Sequence, residues 1–220
     1  MTSTVHDALI VLAAWTVYFA VHSLLASLRV KRWVAVHQPR FMPFYRLTYN
    51  AVALLLLMLP LGLTLAWRGP LLWRWEGLWG WVADGLALAA MAGFVWTLRD
   101  YDGGEFLGLR QWRRGDSGVA DQERFQISPL HRFVRHPWYT LGLVMVWTRD
   151  MDMLFLISSL MITLYLVVGA QLEERKLLVY HGEVYGEYRR RVPALIPRPW
   201  RYLDRATAAA LVARARNQQH

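Results

Sequence analysis

Apolar residues along this chain gather into long unbroken runs, and polar and charged residues collect between them. Four runs, at 8–28, 47–67, 78–98 and 153–172, are each 20 or 21 residues long. About 20 residues of α-helix cross a hydrocarbon core of ~30 Å, so each run predicts a transmembrane helix. A fifth run, 137–148, has only twelve residues, a length that alone suits a buried or re-entrant piece. Joined to 153–172 through Arg149-Asp150-Met151-Asp152, it reads as the short arm of a helical hairpin, lengthened by Phe133 and Val134. The expected architecture is an all-α integral membrane protein, with residues 1–220 forming a single membrane domain. Its spans fall at about 8–28, 47–67, 78–98, 133–148 and 153–172. A polar loop occupies 99–132 and a polar C-terminal segment 173–220.

Charge orients this pattern. Of the 25 Lys and Arg residues, 22 lie in segments 29–46, 99–135 and 173–220, and the opposite side holds only Arg68, Arg74 and Arg149. The positive-inside rule then places the N-terminus outside and the C-terminus in the cytoplasm, which agrees with five spans. Bacterial inner membrane is the expected location. The first run follows His6 and Asp7 rather than a basic stretch, so it reads as a retained helix and not a cleaved signal. Composition supports the class: the chain is 55% hydrophobic, its mean hydropathy is +0.20 and it carries twelve Trp. Trp67, Trp73, Trp75, Trp79 and Trp81 crowd the predicted outer ends of spans two and three as an interfacial belt. The absence of cysteine excludes disulfides, Cys-ligated zinc and a Cys nucleophile, and no metal site is expected. The net charge of +9 resides in the loops of a membrane protein, which argues against nucleic acid as a partner.

Candidate chemistry sits near the cytoplasmic ends. His22 closes the first span, and a membrane histidine is a functional hypothesis by default. Arg46 and Asn50 share one helix face at i, i+4 at the start of the second span. Inside the long loop, Glu105 to Trp112, which includes Arg110 and Gln111, is a mixed polar and apolar island suited to a short surface helix or a lid. Ser128-Pro129 is a helix-start signal, so the helix entering span four is expected near Leu130, with Pro137 as a kink. The basic, Ala-rich tail 204–216 reads as a surface helix on anionic lipid or a frayed end. Arg135-His136 at the mouth of span four and Glu173-Glu174 at the exit of span five should meet at one membrane face, because a hairpin returns its second end to the side of its first. Charges at that depth are costly unless paired or solvated. Carboxylates, Tyr139, Tyr185, Tyr188 and His136 beside an apolar cleft suit a ligand with a positive centre, such as a sulfonium held by ring faces.

These residues carry a resemblance. Arg-His-Pro-x-Tyr (Arg135 to Tyr139), Glu-Glu-x-x-Leu (Glu173 to Leu177), Gly-x-x-Tyr-x-x-Tyr (Gly182 to Tyr188) and Val-Pro-x-x-x-Pro (Val192 to Pro197) resemble the membrane methyltransferases, the superfamily of isoprenylcysteine carboxyl methyltransferase and phosphatidylethanolamine N-methyltransferase. His22 to Ser27, Tyr45-Arg46-Leu47 with Asn50, and Phe106 to Gln111 look like the methanethiol S-methyltransferase and NnrU branch. The resemblance covers roughly residues 20–200. It implies S-adenosylmethionine as methyl donor, bound near the cytoplasmic face, with a small thiol or a small or lipid-soluble molecule as acceptor. It implies His136, Tyr139, Gly142, Glu173, Glu174, Leu177, Tyr185 and Tyr188 as donor-pocket residues. On the acceptor side it points to His22, Arg46, Asn50, Arg110 and Gln111. His136 is the first candidate for a proton acceptor, His22 the second, and Arg135 could favour a thiolate. One position departs from the family pattern: Leu141 stands where a glycine is usual, and Gly142 follows it. Close approach to that helix then needs a compensating neighbour. Two other readings remain, a non-catalytic NnrU-like accessory protein and an NADPH-dependent membrane reductase.

Overall fold

The structure, a computed structural model, describes residues 2–100, 102–115, 118 and 125–217. Within the predicted loop 99–132, residues 101, 116, 117 and 119–124 therefore lie outside the described residues. The rest is almost entirely helical: α1 (Thr2–Ala26), α2 (Leu28–His37), α3 (Met42–Ala66), α4 (Gly77–Thr97), α5 (Gly103–Leu107), α6 (Leu109–Arg114), α7 (Pro137–Trp147), α8 (Met153–Arg191) and α9 (Arg205–Asn217). Strands β1 (Leu71–Trp73) and β2 (Met151–Asp152) pair antiparallel.

Four helical segments are long and apolar enough to cross a membrane: Thr4–Ala26, Pro39–Ala66, Gly77–Thr97 and Met153–Arg191. They match four of the five predicted runs, and the chain is an all-α integral membrane protein. The fifth run behaves differently. Its helix, α7, is 11 residues long and starts at Pro137, so Phe133 and Val134 do not extend it. Two effects combine at its start. Proline disfavours helical geometry in the residue before it, and His136 takes φ −122°, ψ 71°. The amides of Arg135 and His136 bond the carbonyls of Pro193 and Ala194 at 2.9 and 3.1 Å instead of entering a helix. Pro137 thus starts a helix at the position where its missing N–H costs nothing, rather than kinking one. The expected start near Leu130 is only a 3₁₀ turn, Leu130–Arg132. Ser128 does not cap it; its hydroxyl lies 2.8 Å from His131 Nδ1.

The chain divides into two compact units. The first holds residues 1–82, 95–121 and 149–162. There Ser27 caps α2 by accepting from the Val30 amide. Trp15, on α1, donates its indole N–H to Ser158 Oγ at 2.8 Å, and Ser158 Oγ lies 2.7 Å from Thr64 Oγ1 on α3. All three are buried. Where lipid tails match the apolar side chains, such interhelical hydrogen bonds and close packing hold helices together, at about 0.6 kcal/mol per bond. Arg74 pairs with Asp150 at 3.3 Å beside the β-ribbon. The α5–α6 hairpin lies on α3, and Gly108 makes the approach possible: its φ is +87°, and a Cβ there would stand 2.8 Å from the Leu47 amide nitrogen.

The second unit holds residues 83–94, 122–148 and 163–220. Its core is Phe125, Val184, Tyr185, Tyr188 and Val192 packed against Leu203, Ala208, Leu211 and Ala215. The C-terminal helix α9 is therefore packed into protein through its apolar stripe, which corrects the expectation of a helix lying on lipid alone. Arg214 on α9 reaches Glu187 at 2.7 Å. Helix α8 runs well past the predicted span end at 172, and its geometry breaks at Gly182, with φ 50° and ψ −130°. That conformation is open to glycine and rare for residues with a Cβ.

Candidate active site

The charged cluster of the second unit forms where the segment before α7 meets the middle of α8. Arg135 sits at its centre. Its Nε and Nη2 reach Glu174 Oε1 at 2.8 and 2.7 Å, and its Nη1 donates to the carbonyls of Arg189 (2.9 Å) and Val192. Arg189 Nε closes the other side of the carboxylate, 3.1 Å from Glu174 Oε2. Both partners of the central pair are nearly buried, with side chains 9% and 6% exposed. Every charge there is matched, as burial requires. Glu174 is thus the lock between α8 and the segment before α7.

His136 joins the two carboxylates. Its Nε2 lies 3.2 Å from Glu174 Oε1 and its Nδ1 3.4 Å from Glu173 Oε2. Burial pulls the imidazole pKa down, but the hydrogen bonds and charges of Glu173 and Glu174 outweigh it and hold His136 above its ordinary value. Both ring nitrogens of His136 thus face carboxylates, which fix the orientation of the ring. The Tyr139 ring stacks on His136 at 5.2 Å between centroids, and its hydroxyl donates to Glu173 Oε2 at 3.3 Å. Gly169, one turn before Glu173 on α8, lies beside that hydroxyl: a Cβ there would be in ordinary contact with it, at 3.9 Å.

Glu173 differs from its neighbour. Its side chain is 44% exposed against 6% for Glu174. It is the carboxylate of the pair that can face a cationic ligand, with the Tyr139 ring beside it. The remaining donor-pocket candidates differ in their surroundings. Tyr185 and Tyr188 are buried in the apolar core, edge-on to Phe125, and the Tyr188 hydroxyl donates to the His131 carbonyl at 2.7 Å. Leu177 packs against the same core. Gly142 faces open space, and a Cβ added there would meet nothing within 4 Å. Leu141 packs against Gly93 on α4, where a Cβ would meet the Leu141 side chain at 3.1 Å.

The candidates of the first unit form their own network. His22 Nε2 lies 2.7 Å from the Tyr49 hydroxyl. Arg46 Nε and Asn50 Nδ2 both donate to the Phe106 carbonyl, at 3.2 and 3.0 Å. Gln111 Nε2 donates to the Glu105 carbonyl at 3.3 Å, and Arg110 pairs with Asp102 and Glu105. Arg46, Asn50 and Gln111 therefore fasten the α5–α6 hairpin. Among the described residues no group of acidic, His or Cys side chains could hold a metal.

Four participants were not singled out from sequence. Arg189 gave a weak signal, as part of a basic run ending a helix that carries two Glu. His131 gave one too, as a second imidazole just before Arg135. Gly93 and Gly169 gave none, because their role depends on which residue faces them.

No family model matches the chain, and no solved structure does. Known proteins do. A methanethiol S-methyltransferase of Crocosphaera subtropica is 30% identical over 190 residues, covering 80% of this chain and 69% of the relative. Methanethiol S-methyltransferase 2 of Bradyrhizobium diazoefficiens is 34% identical over 185 residues, covering 80% and 68%. The Mycobacterium tuberculosis methanethiol S-methyltransferase is 32% identical over 206 residues, covering 84% and 76%. With this similarity spread over most of both chains, and with four helices long and apolar enough to cross a membrane, the chain is a membrane methyltransferase and belongs to the methanethiol S-methyltransferase family.

Proposed function

We propose that the protein transfers a methyl group from S-adenosylmethionine to the sulfur of a small thiol, at the cytoplasmic face of a bacterial inner membrane. The observation that carries the donor assignment is the half-exposed Glu173, backed by the Tyr139 ring and held by His136. A carboxylate next to an aromatic face fits a sulfonium or an ammonium, so the donor set and the ligand chemistry agree. When bound, S-adenosylmethionine supplies an electrophilic methyl group. Glu173 and Tyr139 would hold its positive portion. His136 and Arg135 would fix the two carboxylates in place, and the apolar helices would exclude water. The acceptor class rests on the relatives' names and on their similarity to this chain. For the thiol proton the candidates are His136 first and His22 second, the latter with the Tyr49 hydroxyl 2.7 Å from its Nε2. Arg46, Asn50, Arg110 and Gln111 would act on the acceptor side through the hairpin they fasten.

The same reading completes the topology. It takes α7 as a fifth crossing and the short arm of a hairpin with α8, the N-terminus outside and the C-terminus in the cytoplasm. The support is the placement of 22 of 25 basic residues on one side.

The deciding experiment is calorimetry on detergent-solubilised protein with S-adenosylmethionine, S-adenosylhomocysteine and, as control, NADPH. Saturable binding of both sulfur ligands, without NADPH binding, is expected. Absence of binding by either sulfur ligand would overturn the donor assignment. Methylation of methanethiol in the same preparation then tests the acceptor.

A further inference from the structure

The segment after α8 combines order with exposure. Its backbone is tied down along its length. The Pro193 and Ala194 carbonyls accept from the amides of Arg135 and His136, and the Leu195 carbonyl accepts from Thr140 Oγ1 at 2.6 Å. Further on, Arg132 and Leu203 exchange bonds in both directions, at 2.8 and 3.0 Å. Yet the residues between these ties point outward: Ile196 is 75% and Trp200 77% exposed, and Tyr202 is exposed while stacked on Phe133 at 5.8 Å. Arg198, exposed as well, lies between Ile196 and Trp200, whereas the Arg201 guanidinium turns back to donate to the Arg190 carbonyl. A loop held this firmly has not left its large apolar side chains outside through disorder.

Depth explains the arrangement. Thr140 lies in the first turn of α7, so its bond to Leu195 sets Ile196 level with the start of that helix. Helix α7 is apolar, and its mouth marks the transition from polar to apolar surroundings. At that level, aromatic and aliphatic side chains enter the boundary between headgroups and acyl chains, and arginine reaches phosphate.

We propose that segment 195–202 is an interfacial anchor: Ile196 and Trp200 insert into the headgroup–acyl boundary, and Arg198 lies against the phosphates of anionic lipid. The proposal rests on the reading of α7 as membrane-embedded. It adds a role for the bilayer, because the anchored segment directly continues the one whose carbonyls hold Arg135 and His136. The lipid surface thereby fixes the mouth of the candidate active site.

The chain has no cysteine, so single-cysteine spin labels report cleanly. Labels would be placed at Ile196→Cys, Trp200→Cys and, on α7, Leu143→Cys, in vesicles of phosphatidylcholine with phosphatidylglycerol. Collision rates with oxygen and with a water-soluble nickel chelate are then compared. The anchor predicts that oxygen collisions exceed nickel collisions at positions 196 and 200, approaching the ratio at 143. Dominant nickel collisions at 196 and 200 would place the segment in water and overturn it. Low rates with both reagents would mean that protein, such as a second copy of the chain, covers it, which also overturns it. If position 143 is nickel-accessible as well, the embedding of α7 fails together with the anchor; if 143 is oxygen-dominated, only the anchor fails. For the lipid charge, the label at 200 should move deeper when phosphatidylglycerol is added to phosphatidylcholine, and Arg198→Gln should lose most of that shift. An equal shift in both proteins would remove Arg198 from the anchor.

Discussion

Glu173 and Glu174 are adjacent and chemically identical, yet their surroundings divide the work between them. Glu174 is enclosed by Arg135, His136 and Arg189, so its neutralisation leaves buried positive charge unmatched. Glu174→Gln should lower folding stability by about 3 kcal/mol, the usual cost of breaking a buried ion pair. Glu173→Gln should leave the melting temperature nearly unchanged and weaken donor binding at least tenfold, as ~1.4 kcal/mol of lost interaction would. Thermal melts and calorimetry on the two variants separate these roles, and equal effects on both measurements would reject the division. His131 allows a second prediction. Burial, and then the charge on His136, lower its pKa from 6.5 to about 4, against a smaller opposing effect of Glu173. The unfolded chain therefore takes up this proton before the folded one. Its contribution to stability is complete above pH 6.5 and is lost as pH falls toward 4. His131→Gln should flatten the decline of melting temperature across that window. His136, held above its ordinary value, acts in the opposite sense: its contribution is lost as pH rises through the raised value.

Among the elements, α9 shows how a pattern can be read correctly as helix while the protein contact of its apolar face goes unseen. Its Arg and Ala content suits a membrane surface, but Ala208, Leu211 and Ala215 recur at helical spacing and pack on the Val184–Tyr188 core. Leu211→Ala should cost about 3 kcal/mol, as for other buried leucines, whereas a tail lying only on lipid would show almost no change. Chemical denaturation in mild detergent distinguishes the two. The α5–α6 hairpin is the other informative element. The sequence marks it as an island between glycines. Its fastening by Arg46 and Asn50 to one carbonyl, and the close approach at Gly108, arise only when α3 lies beside it. Gly108→Val would combine a strained φ with a clash against the Leu47 amide, so it should loosen the hairpin. Faster proteolysis at residues 103–114 would report that.

For the whole molecule, the number of crossings has a simple consequence. Four crossings put both termini on one face of the membrane, and five put them on opposite faces. Only α7 separates the two cases, because it is 11 residues long and spans about 16 Å as a helix. Alkaline phosphatase fused to the N-terminus should be active and the same enzyme fused after α9 inactive, with a fluorescent protein giving the reverse pattern. Matching results at the two ends would make α7 a re-entrant arm and reverse the orientation of one terminus.

Four spans, their membrane setting and the methyltransferase resemblance were determined by local sequence. Hydrophobic run length controls whether a helix crosses lipid, and motif residues keep their spacing whatever they touch. The pairing of Arg135 with Glu174 could be anticipated from hairpin geometry. Tertiary structure alone decided which glutamate is buried, that Arg189 completes the lock, that Tyr185 and Tyr188 fill a core, and that Leu141 packs against Gly93. It also decided the start of α7, because the amides of Arg135 and His136 had partners at Pro193 and Ala194, more than fifty residues away. In each case the outcome depended on residues distant in the chain competing for the same carboxylate, carbonyl or cavity, and no local pattern records that competition.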